Sequence, residues 1–197
     1  MAQEPPGASR ASDTATAGFP FIWLCGPMGV GKSSVGWEIF TQLTNAGVKT
    51  GYADADQLGL CYPVPADDPV NHRVKSKNLG AVYRNFRDAG ARCLVFSGSV
   101  YSTEEVLLYQ NEIPGAALLI CLLRAGPDVV GERFLRRGWS PHLVDDAVRE
   151  VAELEHVTFA DLRVDTDDHP VEEVARLVRA QAGSWPGLTA EAVHRAD

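Results

Sequence analysis

Short apolar runs alternate along the chain with longer stretches in which apolar residues recur every three or four positions. A continuous apolar run of four to eight residues is typical of a buried strand, whereas the longer spacing is typical of a helix with one buried face. Strands are predicted at Phe21–Cys25, Val48–Ala53, Cys93–Phe96, Ala116–Leu123 and Leu162–Asp165. Helices are predicted at Ser33–Ala46, Val70–Ala89, Pro127–Arg137, Leu143–Val157 and Pro170–Ala182, with one more beginning at Ser102.

This alternation predicts an α/β domain with three layers. Strands that alternate with helices form right-handed βαβ units, which give a parallel sheet of about five strands with helices on both faces. Binding and catalytic residues in such sheets gather at the carboxyl ends of the strands. Residues 1–18 and 184–197 lack the periodicity and are predicted to be tails, so the domain is expected to span 19–183.

Composition narrows the class of protein. A chain of 197 residues, 45% of them hydrophobic, fits one domain with a substantial core. A net charge of −8 argues against a general nucleic-acid binder, and no apolar run approaches the roughly 20 residues that cross a membrane. The N-terminus carries no secretory signal, and the four cysteines form no C-x-x-C pair. We expect a cytoplasmic protein without nucleic-acid or membrane partners, and we leave a homodimer open.

The strongest chemical signal is the sequence GPMGVGKS, which occupies Gly26–Ser33 between the first predicted strand and the first predicted helix. It matches the phosphate-binding pattern G-x-x-x-x-G-K-[ST] in the context that the pattern requires, and we call it the P-loop. Its glycines let backbone N–H groups face a phosphate. We expect Lys32 to reach the β- and γ-phosphates of ATP and Ser33 to bind Mg²⁺. The nucleotide-binding residues predicted here are Gly26, Met28, Gly29, Val30, Gly31, Lys32, Ser33 and Ser34.

Two carboxylates, Asp54 and Asp56, follow the second predicted strand. Side chains two positions apart on an extended segment point the same way, so both can face the P-loop. One carboxylate can hold Mg²⁺ while the other accepts the proton of a substrate hydroxyl. The alternative is an ordinary polar exit from a strand, because Asp is common in turns.

Positive charge is concentrated in two stretches in spite of the acidic total. Ten of the eighteen Lys and Arg residues lie in 71–92 and 124–137, which together contain three acidic residues. The start of the first stretch is suited to binding an anionic substrate. The second stretch precedes a break rich in Gly and Pro, as expected of an arginine-bearing lid. Solvated helix surfaces are the alternative for both. The residues singled out are Arg73 and Lys75 in the first stretch and Arg133 and Arg137 in the second.

These signals together predict a P-loop NTPase fold and an ATP- and Mg²⁺-dependent kinase. Such an enzyme transfers the γ-phosphoryl group to a hydroxyl of a small molecule, mainly through positioning and charge neutralisation. A nucleotide-binding NTPase or switch module without transfer is the alternative. The base-reading sequence N-K-x-D of a GTP switch is absent from the chain.

The order of the motifs resembles that of small P-loop kinases, most of all the adenylylsulfate kinase family, with looser similarity to shikimate and gluconate kinases. The resemblance begins at the P-loop and continues through Asp54-Ala55-Asp56, a basic helix with an asparagine, and the turn Phe96-Ser97-Gly98. The family usually has Asp-Gly-Asp and Ser-Pro at these places. A nucleoside-like molecule, an antibiotic or a biosynthetic intermediate therefore stays open as the acceptor beside adenylylsulfate.

The resemblance also implies roles for individual residues. Asp54 would help to organise Mg²⁺, and Asp56 would contact the acceptor hydroxyl. Arg133 and Arg137 resemble the lid and adenine-side arginines of such kinases, and Asp165-Thr166 resembles the turn that closes around the adenine. The remaining substrate contacts that the resemblance implies are Arg73 or Lys75 together with Asn78, and the turn at Ser97 and Gly98.

Overall fold

Strands and helices alternate through the computed structural model, which describes residues 18–138, 142–183 and 185–187. The strands are β1 (Phe19–Cys25), β2 (Thr50–Asp54), β3 (Cys93–Ser97), β4 (Ala116–Arg124) and β5 (Leu162–Asp165). The helices are α1 (Lys32–Asn45), α2 (Ala55–Leu58), α3 (His72–Asp88), α4 (Thr103–Gln110), α5 (Pro127–Arg136), α6 (His142–Leu154) and α7 (Val171–Gln181).

The five strands form one parallel sheet in the order β2-β3-β1-β4-β5, which confirms the three-layer α/β prediction. Every predicted strand and helix is present, with ends shifted by a few residues. The additional element is α2, a single helical turn directly after β2. A four-residue helix is too short to leave a periodic pattern, so the sequence could not indicate it.

The strand β1 lies at the centre of the sheet and is buried from both sides. Its residues Ile22 and Leu24 point into one core cluster, and Phe21 and Trp23 point into the other, as the two-residue period of a strand requires. Helices α1, α5, α6 and α7 contribute to the first cluster, whereas α3 and α4 cover the second. The P-loop follows β1, so it stands in the middle of the carboxyl edge of the sheet.

Residues 185–187 belong to the predicted second tail, and Trp185 among them packs against the core. Trp185 is only 6% exposed and belongs to the same core cluster as Val174 and Val178 of α7. The side chain of Arg179 donates a hydrogen bond to the carbonyl of Trp185, at 3.3 Å. Residues 1–17 of the first predicted tail, and residues 184 and 188–197 of the second, lie outside the described residues.

Three of the four cysteines are buried in strands, and Cys61 is exposed. Burial raises the pKa of Cys25 and of Cys121 to about 12, and that of Cys93 to about 11. These thiols therefore serve as small apolar core residues. In the part of the chain that the structure describes, no helix is both long and apolar enough to cross a membrane.

Candidate active site

The P-loop adopts the backbone conformation that its glycines allow. Gly26, Gly29 and Gly31 have φ values of 144°, 79° and 106°, a region that L side chains rarely adopt. A Cβ on Gly26 would also lie 2.5 Å from the carbonyl oxygen of Leu123 on β4. The turn can therefore pass close to the sheet and enter α1 with its N–H groups directed away from the core, as anion binding requires.

Lys32 is the first residue of α1, and its side chain folds back across the P-loop. Its Nζ donates to the carbonyl oxygens of Gly26 and Pro27, both at 3.0 Å. Burial lowers the pKa of this ammonium, and the carboxylates of Glu150 and Asp56 oppose that shift without cancelling it. The loop thus holds a partly desolvated positive charge where a phosphate would be bound.

Asp54, the last residue of β2, joins three segments through hydrogen bonds. Its Oδ2 accepts from Ser33 Oγ at 2.7 Å, from Ser97 Oγ at 2.6 Å and from the Tyr52 hydroxyl at 3.3 Å. Its Oδ1 accepts from the backbone N–H of Asp56 at 3.0 Å and so caps α2. Partial burial by itself raises the pKa of Asp54, but these hydrogen bonds outweigh it and hold the pKa below its ordinary value. The carboxylate is therefore ionised at neutral pH.

The oxygen atoms around Asp54 suit a hard cation. A carboxylate and a serine hydroxyl within 2.7 Å of each other are ligands that Mg²⁺ accepts. Among the described residues, no group of three or more His, Cys, Asp or Glu side chains could hold a metal ion. A site with one carboxylate and one hydroxyl fits Mg²⁺, which usually takes few protein ligands and completes its shell with phosphate oxygens and water.

Asp56 lies in the first turn of α2, and its side chain is 79% exposed. Its Oδ1 is 3.3 Å from Nζ of Lys75, whose side chain is only 10% exposed and lies against Gly59. The buried ammonium of Lys75 therefore fixes one side of a carboxylate whose other side faces solvent. This leaves Asp56 accessible to a hydroxyl group of a bound molecule.

The other predicted substrate residues of α3 have partners within the protein. Arg73 makes two hydrogen bonds to Asp67, at 2.9 and 3.0 Å, in the segment that leads into the helix. Asn78 Nδ2 donates to the carbonyl oxygen of Leu58 at 2.8 Å, which ties α3 to α2. The structure thus brings Lys75 to Asp56 but directs Arg73 toward an exposed acidic residue.

Ser97 and Gly98 lie at the carboxyl end of β3, beside Asp54. The carbonyl oxygen of Gly98 accepts a hydrogen bond from Trp23 Nε1 at 2.9 Å. A Cβ on Gly98 would lie 2.4 Å from Cβ of Ala55, the first residue of α2. Glycine is therefore required here for β3 to pack against the start of α2, which fixes Asp54 relative to the P-loop.

Arg133, which the sequence predicts on the nucleotide side, is hydrogen-bonded to both the P-loop and the turn after β5. Arg133 donates to the Thr166 carbonyl oxygen at 2.7 Å, to Thr166 Oγ1 at 2.8 Å and to the Val30 carbonyl oxygen at 3.3 Å. The carboxylate of Asp165 lies 3.5 Å from Nε of Arg124, the last residue of β4. A cavity of about 140 Å³ lies beside the P-loop and is lined by residues that include Gly31, Ser34, Arg133, Arg137, Thr166 and His169.

Sequence reasoning missed three polar groups at the site. Tyr52 contributes its hydroxyl to Asp54, Ser99 Oγ donates to the Gly26 carbonyl oxygen at 3.1 Å, and Glu150 accepts the backbone N–H of Met28 at 2.7 Å. Tyr52 lies two residues before Asp54, and Ser99 directly follows Gly98, so their positions in the sequence could have indicated them. Glu150 lies far along the chain on α6, where no motif or spacing indicates it.

We compared the chain with known proteins. No family model and no curated protein matches its sequence. Its structure matches the tunicamycin resistance protein of Deinococcus radiodurans with a TM-score of 0.59 and 23% identity, over 86% of this chain and 96% of that one. A gluconokinase from Sinorhizobium meliloti 1021 matches with a TM-score of 0.58 and 22% identity, over 84% and 92%. The Mycobacterium tuberculosis APS kinase, solved with AMPPNP and APS, matches with a TM-score of 0.59 and 20% identity, over 85% and 99%.

These matches cover nearly the full length of each solved protein. At such identities they show a common fold, which is shared by a gluconokinase and an APS kinase among the solved proteins. The predicted P-loop NTPase architecture is therefore confirmed.

Proposed function

We propose that this protein is an ATP- and Mg²⁺-dependent kinase that transfers the γ-phosphoryl group to a hydroxyl of a small molecule. The observation that carries the proposal is the convergence at one sheet edge of the P-loop lysine, the hydrogen-bonded Asp54 and the accessible Asp56. A P-loop alone supports nucleotide binding. The second carboxylate, fixed by Lys75 and open to solvent, supports transfer to an acceptor.

The proposed reaction is a direct in-line displacement. The acceptor hydroxyl oxygen forms a bond to the γ-phosphorus while the bond to the ADP oxygen breaks, and ADP leaves with the electron pair. Asp56 accepts the hydroxyl proton, and Lys75 keeps that carboxylate oriented. Lys32 stabilises the charge that spreads over the phosphate oxygens.

Ser33 and Asp54 are the residues proposed to hold the metal. Mg²⁺ bound there would neutralise negative charge on the phosphate groups of the nucleotide. Arg133 is proposed to contact the nucleotide, since it already links the P-loop to Thr166, and Arg137 lines the same cavity. Gly31, Ser34 and the turn at Thr166 complete the proposed nucleotide side.

For the acceptor, we infer one of two kinds of hydroxyl compound. The first is related to the compounds named for the solved kinases, and the second is a nucleoside-like or antibiotic molecule. The resemblance to adenylylsulfate kinases supports the first, and the structural match to a tunicamycin resistance protein supports the second. Lys75 is available to an anionic acceptor only in competition with Asp56, and Arg73 only in competition with Asp67. The acceptor panel should therefore include neutral as well as anionic compounds.

The test is a transfer assay with ATP, Mg²⁺ and a panel containing adenosine phosphosulfate, gluconate, shikimate, nucleosides and tunicamycin. A kinase adds about 80 Da, the mass of HPO₃, to one of these compounds. Asp56→Asn should lower that transfer about 100-fold or more while ATP still binds. Asp88→Asn, at the exposed end of α3, is the matched control and should leave the rate unchanged.

Two results would contradict the proposal. Steady ATP hydrolysis with no mass gain in any compound would favour an NTPase without transfer. Full transfer activity in Asp56→Asn would remove the proposed role of that carboxylate.

A further inference from the structure

A carboxylate on helix α6 contacts the P-loop. Oε2 of Glu150 accepts the backbone N–H of Met28 at 2.7 Å, a short, charge-assisted hydrogen bond. Met28 is the third residue of the P-loop, whose N–H groups form a turn suited to anions. A carboxylate of this chain therefore uses a donor of the same kind that a phosphate would use.

The charge of Glu150 acts on two further groups. Burial raises the pKa of the Tyr101 hydroxyl, a few residues beyond β3, and the charge of Glu150 raises it further. The charge of Glu150 acts on Lys32 as well, since Glu150 is the strongest of the carboxylates that favour its charged form. The same carboxylate therefore accepts a P-loop N–H group and favours the charged form of the P-loop lysine.

The surroundings leave room for this side chain to move. A cavity of about 290 Å³ lies between Pro27 of the P-loop, the carboxyl end of β4 and α6. Val151 and Leu154, which follow Glu150 on α6, line it. Glu150 is itself only partly buried, so its side chain can leave Met28 without displacing core residues.

We propose that Glu150 competes with a phosphate group of the nucleotide for the backbone N–H of Met28. Nucleotide binding then requires the Glu150 carboxylate to move away. Two anions cannot accept the same hydrogen bond, and like charges at that distance in a partly buried site repel strongly. The inference rests on the proposed function only in that the P-loop binds a phosphate. Glu150 thereby sets the affinity of the site for the nucleotide.

The test compares Glu150→Ala, and Glu150→Gln of similar volume, with Glu153→Ala, an exposed residue on the same helix that loses the same charge. Dissociation constants are measured on the full chain by calorimetry for Mg²⁺–AMPPNP, tripolyphosphate and adenosine. A hydrogen bond to a charged group corresponds to a change of about tenfold in affinity. We expect Glu150→Ala to bind AMPPNP and tripolyphosphate about tenfold more tightly than Glu153→Ala, with Glu150→Gln intermediate. The affinity for adenosine, which has no phosphate, should be the same in all variants.

Three results would overturn the competition. These are equal phosphate affinities in Glu150→Ala and Glu153→Ala, weaker phosphate binding in Glu150→Ala, and an equal gain for adenosine. Tighter tripolyphosphate binding without transfer to any acceptor would support the competition and count against the kinase proposal alone. Failure of every variant to bind tripolyphosphate would overturn both.

Discussion

The carboxylate of Asp54 accepts hydrogen bonds from two serine hydroxyls that belong to different βα units. Ser33 follows the P-loop lysine, and Ser97 ends β3, so a single acidic side chain connects the carboxyl ends of three strands. The pattern Asp54-Ala55-Asp56 could be recognised in the sequence, because it directly follows an apolar run. The sharing of Oδ2 between the two serines could not, because it depends on the order of strands in the sheet.

At this scale we expect Ser97→Ala to destabilise the protein in a pH-dependent way. Hydrogen bonds hold the pKa of Asp54 below its ordinary value, so the stabilisation is present above that value and is lost as the pH falls through the folded-state pKa. At pH 7 the variant should lose about 1 kcal/mol of unfolding free energy in urea titrations. The deficit should shrink as the pH falls below about 4.

Ser99→Ala is the matched control for this measurement. Its hydroxyl donates to the carbonyl oxygen of Gly26, which does not titrate, so any deficit should stay constant with pH. A Ser97→Ala deficit that is equally large at pH 3 and pH 7 would show that the bond to Asp54 does not depend on its charge.

Among the elements, the contact between the end of β3 and the start of α2 decides where the two aspartates lie. Gly98 and Ala55 approach so closely that a single added Cβ would lie 2.4 Å from its neighbour. The one-turn helix α2 makes this approach possible, and its residues show no helical period in the sequence. Sequence reasoning could therefore place both aspartates after β2 but could not show that Asp56 lies on a helical turn.

We expect Gly98→Ala to lower the free energy of unfolding by about 1–3 kcal/mol, because the added methyl group must push α2 away from β3. The double variant Ala55→Gly, Gly98→Ala should recover part of this loss. Ala55→Gly alone should cost about 1 kcal/mol, the usual difference in helix propensity. Urea unfolding of the three variants provides the comparison, and strictly additive losses would contradict the steric explanation.

The start of α3 shows a further limit of sequence reasoning about elements. Periodicity predicts the helix from Val70, whereas it begins at His72. Asp68 accepts the backbone N–H groups of His72 and Arg73, at 2.8 and 3.0 Å, and so fixes the first turn. Because Asp67 and Asp68 lie in an irregular segment, their effect on Arg73 could not be read from the basic pattern of the helix.

In the whole molecule, the sheet and its two covering layers could be predicted because apolar runs and helical stripes are local properties of the sequence. The contacts that close the site are long-range and were not predicted. Glu150 reaches Met28 from α6, and Arg133 reaches Thr166 from α5. Arg133 and Thr166 were each singled out in the sequence, but no local pattern indicates that they bond to each other, and none indicates Glu150 at all.

Trp185 offers a test at the scale of the whole domain. It is 6% exposed and packs beside α7, so we expect Trp185→Ala to lower the free energy of unfolding by about 3 kcal/mol. Trp37→Ala is the matched control, since Trp37 is 56% exposed, and it should cost less than about 1 kcal/mol. Similar losses for both tryptophans in urea titrations would contradict the assignment of Trp185 to the core.

The position of β1 in the sheet has a consequence for how the chain reaches its folded state. Both hydrogen-bonded neighbours of β1 come later in the chain, since β3 begins at Cys93 and β4 at Ala116. The P-loop therefore cannot be fixed against its sheet by local folding. Its strand has no partner until β3 has been synthesised, and it lacks its second partner until β4, which ends at Arg124, has been synthesised. Such distant pairing slows folding and leaves an apolar segment exposed to aggregation. The nucleotide affinity proposed for the P-loop would accordingly appear only after both β3 and β4 have emerged.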